Sequence, residues 1–461
     1  MTLIKSISGI RGTIGGIPGR SLTPVDIVKF VSAFAGFIGE GEDAAKLKFI
    51  VGRDARISGD MVNRLVCGTL MGMGVDVIDV GLSTTPTVEM KVVFENAHGG
   101  IILTASHNPG QWNALKLLNG KGEFISADDG VRVLYLAEQN TTEFPGVESL
   151  GVYSEDKNAI QQHIEAILAL PMVDAELIRK RDFHVALDCV NSTGGIALPE
   201  LLRALGVSRI TELYCEPSGH FPHNPEPLPE NLTAIAEEVR SKGADIGFVV
   251  DPDVDRLAIV TENGDMFGEE YTLVAVADYI LRNTPGNTVS NLSSTGALRD
   301  ITDLAGGKYH ASAVGEVNVV SLMKEVNAVI GGEGNGGVIY PELHYGRDAL
   351  VGIALFLTFL AKEGVSCSAL RVKYPDYHIS KNKIELKPEI DVDAILQALE
   401  MAYPEEEVIT IDGVKIIFDK EWVHLRKSNT EPIIRIYAES SSREAADKLA
   451  QEVINKMQSL L

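Results

Sequence analysis

A chain of 461 residues exceeds what one hydrophobic core organises, so several domains are expected. Its 45% hydrophobic and 23% charged residues read as a folded globular protein, and a formal net charge of −23 argues against nucleic acid or anionic membranes as partners. The four cysteines (Cys67, Cys189, Cys215, Cys367) are scattered without a Cys-x-x-Cys pair, which argues against disulfides and a zinc site. No apolar run reaches the ~18 residues of a membrane helix, and the start of the chain does not read as a signal peptide, so a cytoplasmic protein is expected.

In chain order, Pro24 to Phe37 reads as an amphipathic helix, and Phe49-Ile50-Val51-Gly52 as a buried strand running into Arg53-Asp54-Ala55-Arg56. We expect Arg53 and Asp54 to form a structural ion pair. Gly99–Leu103, His184–Asp188 and Ala244–Val250 repeat the buried-strand pattern, each followed by a polar turn, with a helix over Asn231 to Lys242. Strand, turn, helix and strand in alternation predict three similar mixed α/β domains with mostly parallel sheets. The last block differs: Val408–Phe418, Trp422–Arg426 and Ile433–Glu439 read as strands before a helix over Ser442–Leu461, an α+β domain. The expected domains are 1–150, 151–260, 261–373 and 374–461, with a hinge at Lys373–Asp376.

Polar loops after these strands carry the chemistry, since α/β sheets bind ligands at the carboxyl ends of their strands. Thr104-Ala105-Ser106-His107-Asn108-Pro109 offers a serine nucleophile or phosphoryl carrier beside a histidine; a capped turn explains the same residues equally well. Asp251-Pro252-Asp253-Val254-Asp255-Arg256 places three carboxylates at alternate positions, which suits a hard cation such as Mg²⁺. An EF-hand would need glycine where Arg256 stands and helices where apolar runs flank the loop; a solvated acidic turn is the bland alternative. Gly331-Gly332-Glu333-Gly334-Asn335-Gly336-Gly337 offers Glu333 and Asn335 to sugar hydroxyls, or is simply a flexible turn. Arg426-Lys427-Ser428-Asn429-Thr430-Glu431-Pro432, with Arg435, gathers the donors a phosphate monoester needs. Arg11 and Lys116 are further cations, Lys116 lying close enough to Ser106 in sequence to return to the same site.

The order of these loops along nearly the whole chain resembles the α-D-phosphohexomutase family: a TASHNP phosphoserine loop, a DxDxDR metal loop, a GEx[SN]G sugar loop and an RxSNTEP phosphate loop. The resemblance implies a heart-shaped four-domain architecture. It implies an isomerase that interconverts the 6-phospho and 1-phospho forms of a hexose through phosphoserine and a 1,6-bisphosphate, which also serves as activator. Ser106 would carry the phosphoryl group and, with Asp251, Asp253 and Asp255, ligate Mg²⁺. Arg11, His107 and Lys116 would surround the reacting group, with Lys116 as general base, its pKa lowered toward neutrality. Arg256, Glu333, Asn335, Arg426, Ser428, Asn429, Thr430 and Arg435 would bind substrate.

Two departures fall in the sugar-reading region. Gly337 stands where many relatives carry an acid/base histidine, a role we assign to His344 or to Lys116 alone. Gly315-Glu316-Val317-Asn318 replaces a Gly-His-Ser segment, and Glu316 could pair with the ammonium of an amino sugar. The form of the sugar loop resembles the archaeal-type phosphoglucosamine mutase branch, ahead of phosphoglucomutase or phosphomannomutase. A sugar-phosphate phosphatase and a non-catalytic sensor are the readings from other classes. A monomer or homodimer is expected, with a hexose phosphate as its partner.

Overall fold

Near-continuous apolar runs such as Gly99–Leu103 suit strands covered on both faces, and all five residues of that run are buried. The computed structural model of the chain describes residues 2–6, 9–40, 47–139, 142–385, 391–427 and 433–459. They divide into two compact units, Met1–Thr272 with Asn335–Ser368, and Leu273–Gly334 with Ala369–Leu461.

The first unit opens with β1 (Leu3–Ser6), β2 (Gly9–Thr13), β3 (Lys48–Arg53), β4 (Asp76–Leu82), β5 (Gly99–Leu103), β6 (Trp112–Asn119) and β7 (Tyr153–Glu155). They form one mixed sheet in the order β1-β2-β6-β5-β3-β4-β7. Strands β5, β3, β4 and β7 run parallel, and β6 returns antiparallel beside β5. The helix Pro24–Ile38 begins at Thr23, whose backbone N–H donates to Asp26, a capping box reinforced by Pro24 at the first helical position. Its Phe30 and Phe34 pack with Phe49, Ile101, Leu103 and Leu115 in the core on one face of this sheet. A second sheet, β11-β10-β8-β9, joins β8 (His184–Asp188), β9 (Arg209–Leu213), β10 (Ile246–Val250) and β11 (Leu257–Thr261). Here β10 and β11 form an antiparallel hairpin, with Val250 opposite Leu257.

In the second unit β12 (Asn287–Asn291), β13 (Tyr309–Ser312) and β14 (Ala328–Glu333) run parallel in the order β13-β12-β14. The chain returns to the first unit for β15 (Gly337–Ile339) and the buried helix Ala349–Glu363. It ends in the second unit with β16 (His378–Glu385), β17 (Glu407–Ile409), β18 (Val414–Ile417), β19 (Trp422–Lys427) and β20 (Ile433–Ser440), an antiparallel sheet in the order β16-β20-β19-β18-β17, and the helix Arg443–Ser459. Three α/β sheet layers and a terminal α+β sheet are thus the observed architecture.

Two expectations change. Val408–Phe418 is two strands, because Gly413 at φ +74° turns the chain between β17 and β18. Strand β14 continues through Glu333, so half of the glycine segment is strand rather than loop. In the segment Lys373–Asp376 the Tyr374 hydroxyl donates to Asp278 at 2.9 Å and Arg371 pairs with Asp376.

Candidate active site

Two hairpin loops of the first unit build the centre. The β5–β6 loop carries Ser106, and antiparallel register sets Lys116 opposite Ile102, which returns the lysine to the serine end of the hairpin. The β10–β11 loop carries the three aspartates. Ser106 sits at φ +48° and Val254 at φ +65°, conformations that cost non-glycine residues energy and persist where surrounding structure enforces them.

The enforcement at Ser106 comes from Arg56, which is 1% exposed. Its guanidinium donates to the carbonyls of Ser106, Asn108 (2.6 Å), Pro109 (2.8 Å) and Trp112 (3.0 Å), and its Nε to Asp54 at 2.9 Å. The buried ion pair is therefore Asp54–Arg56. Arg53, the expected partner, reaches the Asp54 backbone carbonyl at 3.4 Å instead. Alternation along the chain gave no hint that Arg56 turns inward.

Ser106 Oγ donates to Asp251 Oδ2 at 2.6 Å and lies 3.3 Å from His107 Nδ1. Asp251, Asp253 and Asp255 are fully buried, with carboxylate oxygens within 4.8 Å of one another. Lys116 Nζ donates to Asp253 at 2.7 Å and to Asp255 at 3.3 Å. Two residues missed in the sequence complete this shell. Arg347 donates to Asp255 at 2.7 Å, and the Thr85 hydroxyl to Asp253 at 2.5 Å. The Gly-Arg-Asp run before a long apolar helix was the available signal for Arg347.

The electrostatics follow from this crowding. Burial raises the Asp251 carboxyl well above its ordinary value, and the neighbouring Asp255 and Asp253 charges add to the rise. Burial opposes ionisation of Asp255 too, but Arg347, Lys116 and Arg256 outweigh it and hold that carboxyl low. Burial alone would depress Lys116, yet Asp253 and Asp255 raise it above its usual range. The lysine is thus held charged, opposite to the lowered pKa expected of a base. His107 is kept neutral, first by Arg256 and then by burial, with Arg11 and Arg347 adding to the effect. Arg11 is itself depressed by burial and by Arg256. Guanidiniums gathered beside a serine favour a polyanion there.

The trio fits a hard dication. Asp253 Oδ1 and Asp255 Oδ1 are buried and have no hydrogen-bond partner among the described residues, and all-oxygen carboxylate ligation suits magnesium. Strands rather than helices flank the loop, so it is no EF-hand. His344 does not join this group: its ring nitrogens face Asp348 at 3.3 Å and Glu89 at 3.4 Å, which removes it as the acid/base stand-in for Gly337.

The second unit holds the other expected binders. Arg426 and Arg435 lie directly opposite on β19 and β20, a like-charge pair that an anion would relieve. Arg426 Nε is buried without a hydrogen-bond partner among the described residues. On the same face, His424 bonds Ser293 at 2.9 Å, Lys415 bonds the Leu292 carbonyl at 2.7 Å, and Glu439 accepts from Gly296 N–H at 2.8 Å. Glu333 accepts from Asn291 at 2.9 Å and from Gly315 N–H at 3.2 Å. Asn335 belongs to the first unit and accepts from Gly337 N–H at 3.3 Å. Ser428, Asn429 and Thr430 lie outside the described residues.

The chain matches models of phosphoglucomutase/phosphomannomutase alpha/beta/alpha domains I, II and III over residues 3–143, 161–264 and 268–377, and of the C-terminal domain over 382–456. It therefore belongs to the phosphoglucomutase/phosphomannomutase family, the phosphohexomutase isomerases. A Thermococcus kodakarensis protein named phosphoglucomutase/phosphomannomutase is 38% identical, covering 94% of this chain and 95% of its own. A phosphoglucosamine/phosphogalactosamine mutase of Sulfurisphaera tokodaii is 33% identical, covering 96% and 97%. A crystal structure of a family protein from Burkholderia thailandensis superposes with a TM-score of 0.85 at 26% identity, covering 98% and 96%. Among the described residues no helix is long and apolar enough to cross a membrane.

Proposed function

We propose that this phosphohexomutase interconverts glucosamine 6-phosphate and glucosamine 1-phosphate, with Ser106 as the phosphoryl carrier. The observation that carries the reading is the buried contact of Ser106 Oγ with Asp251 at 2.6 Å, inside a shell of three carboxylates and four cations. The dication would be held by Asp251, Asp253, Asp255 and the phosphorylated Ser106. Magnesium held there would offset the charge of the phosphoserine and would compete with Lys116 for Asp253 and Asp255, the carboxylates that keep the lysine protonated. Lys116 then exchanges the proton of the attacking sugar hydroxyl. Arg11, Arg256 and Arg347 neutralise the phosphoryl oxygens, and neutral His107 orients Ser106 Oγ.

In this reading Arg426 and Arg435, with Ser428, Asn429 and Thr430, bind the phosphate that is not being transferred. Glu333 and Asn335 bind sugar hydroxyls. The 1,6-bisphosphate formed in the first transfer must reverse before the second, and supplied in trace it primes an unphosphorylated enzyme. The preference for an amino sugar draws support from the name of the Sulfurisphaera relative and from Glu316. That carboxylate belongs to the residue after Gly315, whose N–H donates to Glu333. The Thermococcus relative favours glucose and mannose phosphates as the second reading.

Two measurements test this. Intact-mass analysis should find a phosphate mapped to Ser106, absent in Ser106→Ala, with turnover down at least roughly 10³-fold. With catalytic sugar 1,6-bisphosphate supplied, kcat/KM should be highest for glucosamine phosphate. Faster turnover of mannose phosphate would select the second reading, and phosphate release without isomer would indicate hydrolysis.

A further inference from the structure

Behind the aspartate trio, four elements of the first unit bring a second set of metal-binding side chains together. His163 comes from the helix Ala159–Leu168, Asp348 caps the helix Ala349–Glu363, His344 precedes it, and Glu89 comes from the helix Thr85–Phe94. His163 and Asp348 are fully buried, Glu89 is 1% exposed and the His344 side chain 10%. Asp348 Oδ1 is consumed by the cap, accepting from Leu350 N–H at 2.8 Å and Val351 N–H at 3.3 Å. Its Oδ2 is left facing two imidazoles, His163 Nε2 at 2.9 Å and His344 Nε2 at 3.3 Å. The two rings stand nearly perpendicular, at 88°.

We propose that His163 Nε2, His344 Nε2 and Asp348 Oδ2 form a structural site for a transition-metal dication of the zinc class, separate from the magnesium centre. Bonds of about 2.0–2.1 Å to a tetrahedral ion place neighbouring ligand atoms about 3.3 Å apart, close to the observed separations. Imidazole nitrogen with one carboxylate oxygen is zinc-class ligation, while the all-oxygen trio is not. An outer contact fits as well. His163 Nδ1 meets Thr87 Oγ1 at 2.9 Å, while His344 Nδ1 lies 3.4 Å from Glu89 Oε2 without forming a hydrogen bond. The hydroxyl behind the non-ligating nitrogen of His163 is the kind of outer partner that fixes a metal-binding histidine.

Both imidazoles present Nε2 to the same oxygen, Asp348 Oδ2, so a cation seated among the three atoms would replace two hydrogen bonds with three ligand bonds. Scattered cysteines argued against zinc, but histidine and aspartate supply the ligands here. The site ties two helices together at Asp348, whose chain neighbour Arg347 holds Asp255.

The test uses the full chain purified from zinc-supplemented culture and exchanged exhaustively into magnesium buffer. Elemental analysis should find about one zinc per chain, retained in Asp253→Asn and lost in His344→Gln. X-ray absorption at the zinc edge of the unsubstituted protein should show scattering from two imidazoles, which decides the matter even if His344→Gln does not fold. A chain retaining less than a tenth of an equivalent, zinc undiminished in His344→Gln, zinc lost with Asp253→Asn, or an edge without imidazole scattering would each overturn the proposal.

Discussion

Arg56 shows how much one side chain fixes: it holds four carbonyls of the Ser106 loop and the Asp54 carboxylate in a site 1% exposed. Arg56→Ala leaves a carboxylate and a set of carbonyls unpaired in the interior, so urea unfolding should report a loss of about 3–5 kcal/mol. Incorporation of phosphate at Ser106 should fall with it. Arg56→Lys restores a charge but not the forked donors, so it should recover part of the stability and little of the phosphate incorporation. His424 makes a pH prediction. Its Nε2 donates to the Asp412 carbonyl at 2.7 Å and its Nδ1 accepts from Ser293, and burial pushes its pKa down to about 4 from 6.5. The unfolded chain takes the proton near pH 6.5 while the folded chain resists it. This contribution is complete above pH 6.5 and is lost as pH falls toward 4, by up to about 3 kcal/mol. His424→Gln should flatten that segment of a stability-against-pH curve measured by urea titration.

Hairpins are the elements that converted sequence into geometry. Apolar runs ending in polar residues revealed β5 and β10, so Ser106 and the three aspartates were legible as loop residues. That β6 and β11 fold back antiparallel was not, because periodicity reports burial and not pairing. The same limit hid Arg347 and Thr85, which reach the aspartates from elements remote in sequence. It also misplaced His344, whose role depends on Asp348 and on Glu89 far upstream. Glu333 read as a loop residue because glycines disguise a strand end, and Val408–Phe418 read as one strand because a single Gly413 turn is a weak break among apolar residues. At the metal hairpin, Gly336 has φ +85° and a Cβ there would meet the Leu257 carbonyl at 2.3 Å. Gly336→Ala should cost about 1–3 kcal/mol in unfolding and displace the aspartate loop enough to weaken magnesium binding in a calorimetric titration.

The whole chain keeps a net charge of −23 yet handles anions by concentrating its cations. Arg11, Lys116, Arg256 and Arg347 belong to one unit, and Arg426 and Arg435 to the other. The chain has 2 tryptophans, Trp112 in the first unit and Trp422 in the second, where its indole N–H donates to Glu439 at 2.7 Å. Each therefore reports its own unit. Single-tryptophan variants Trp112→Phe and Trp422→Phe should give urea transitions with different midpoints, the departure from two-state unfolding expected of a chain built from more than one compact body. Coincident midpoints would show that the units unfold as one.

The pairing of Ile102 with Lys116 also makes strand β6 intolerant of miscounting. Leu115 and Leu117 point into the interior with Phe30 and Phe34, while Lys116 between them turns to the acidic trio. Removing Asn113 alone would exchange the two sides, sending an ammonium into hydrocarbon and a leucine toward the carboxylates. Point changes along this ribbon can be graded in severity, whereas the loss of a single link would disable core and chemistry in one stroke.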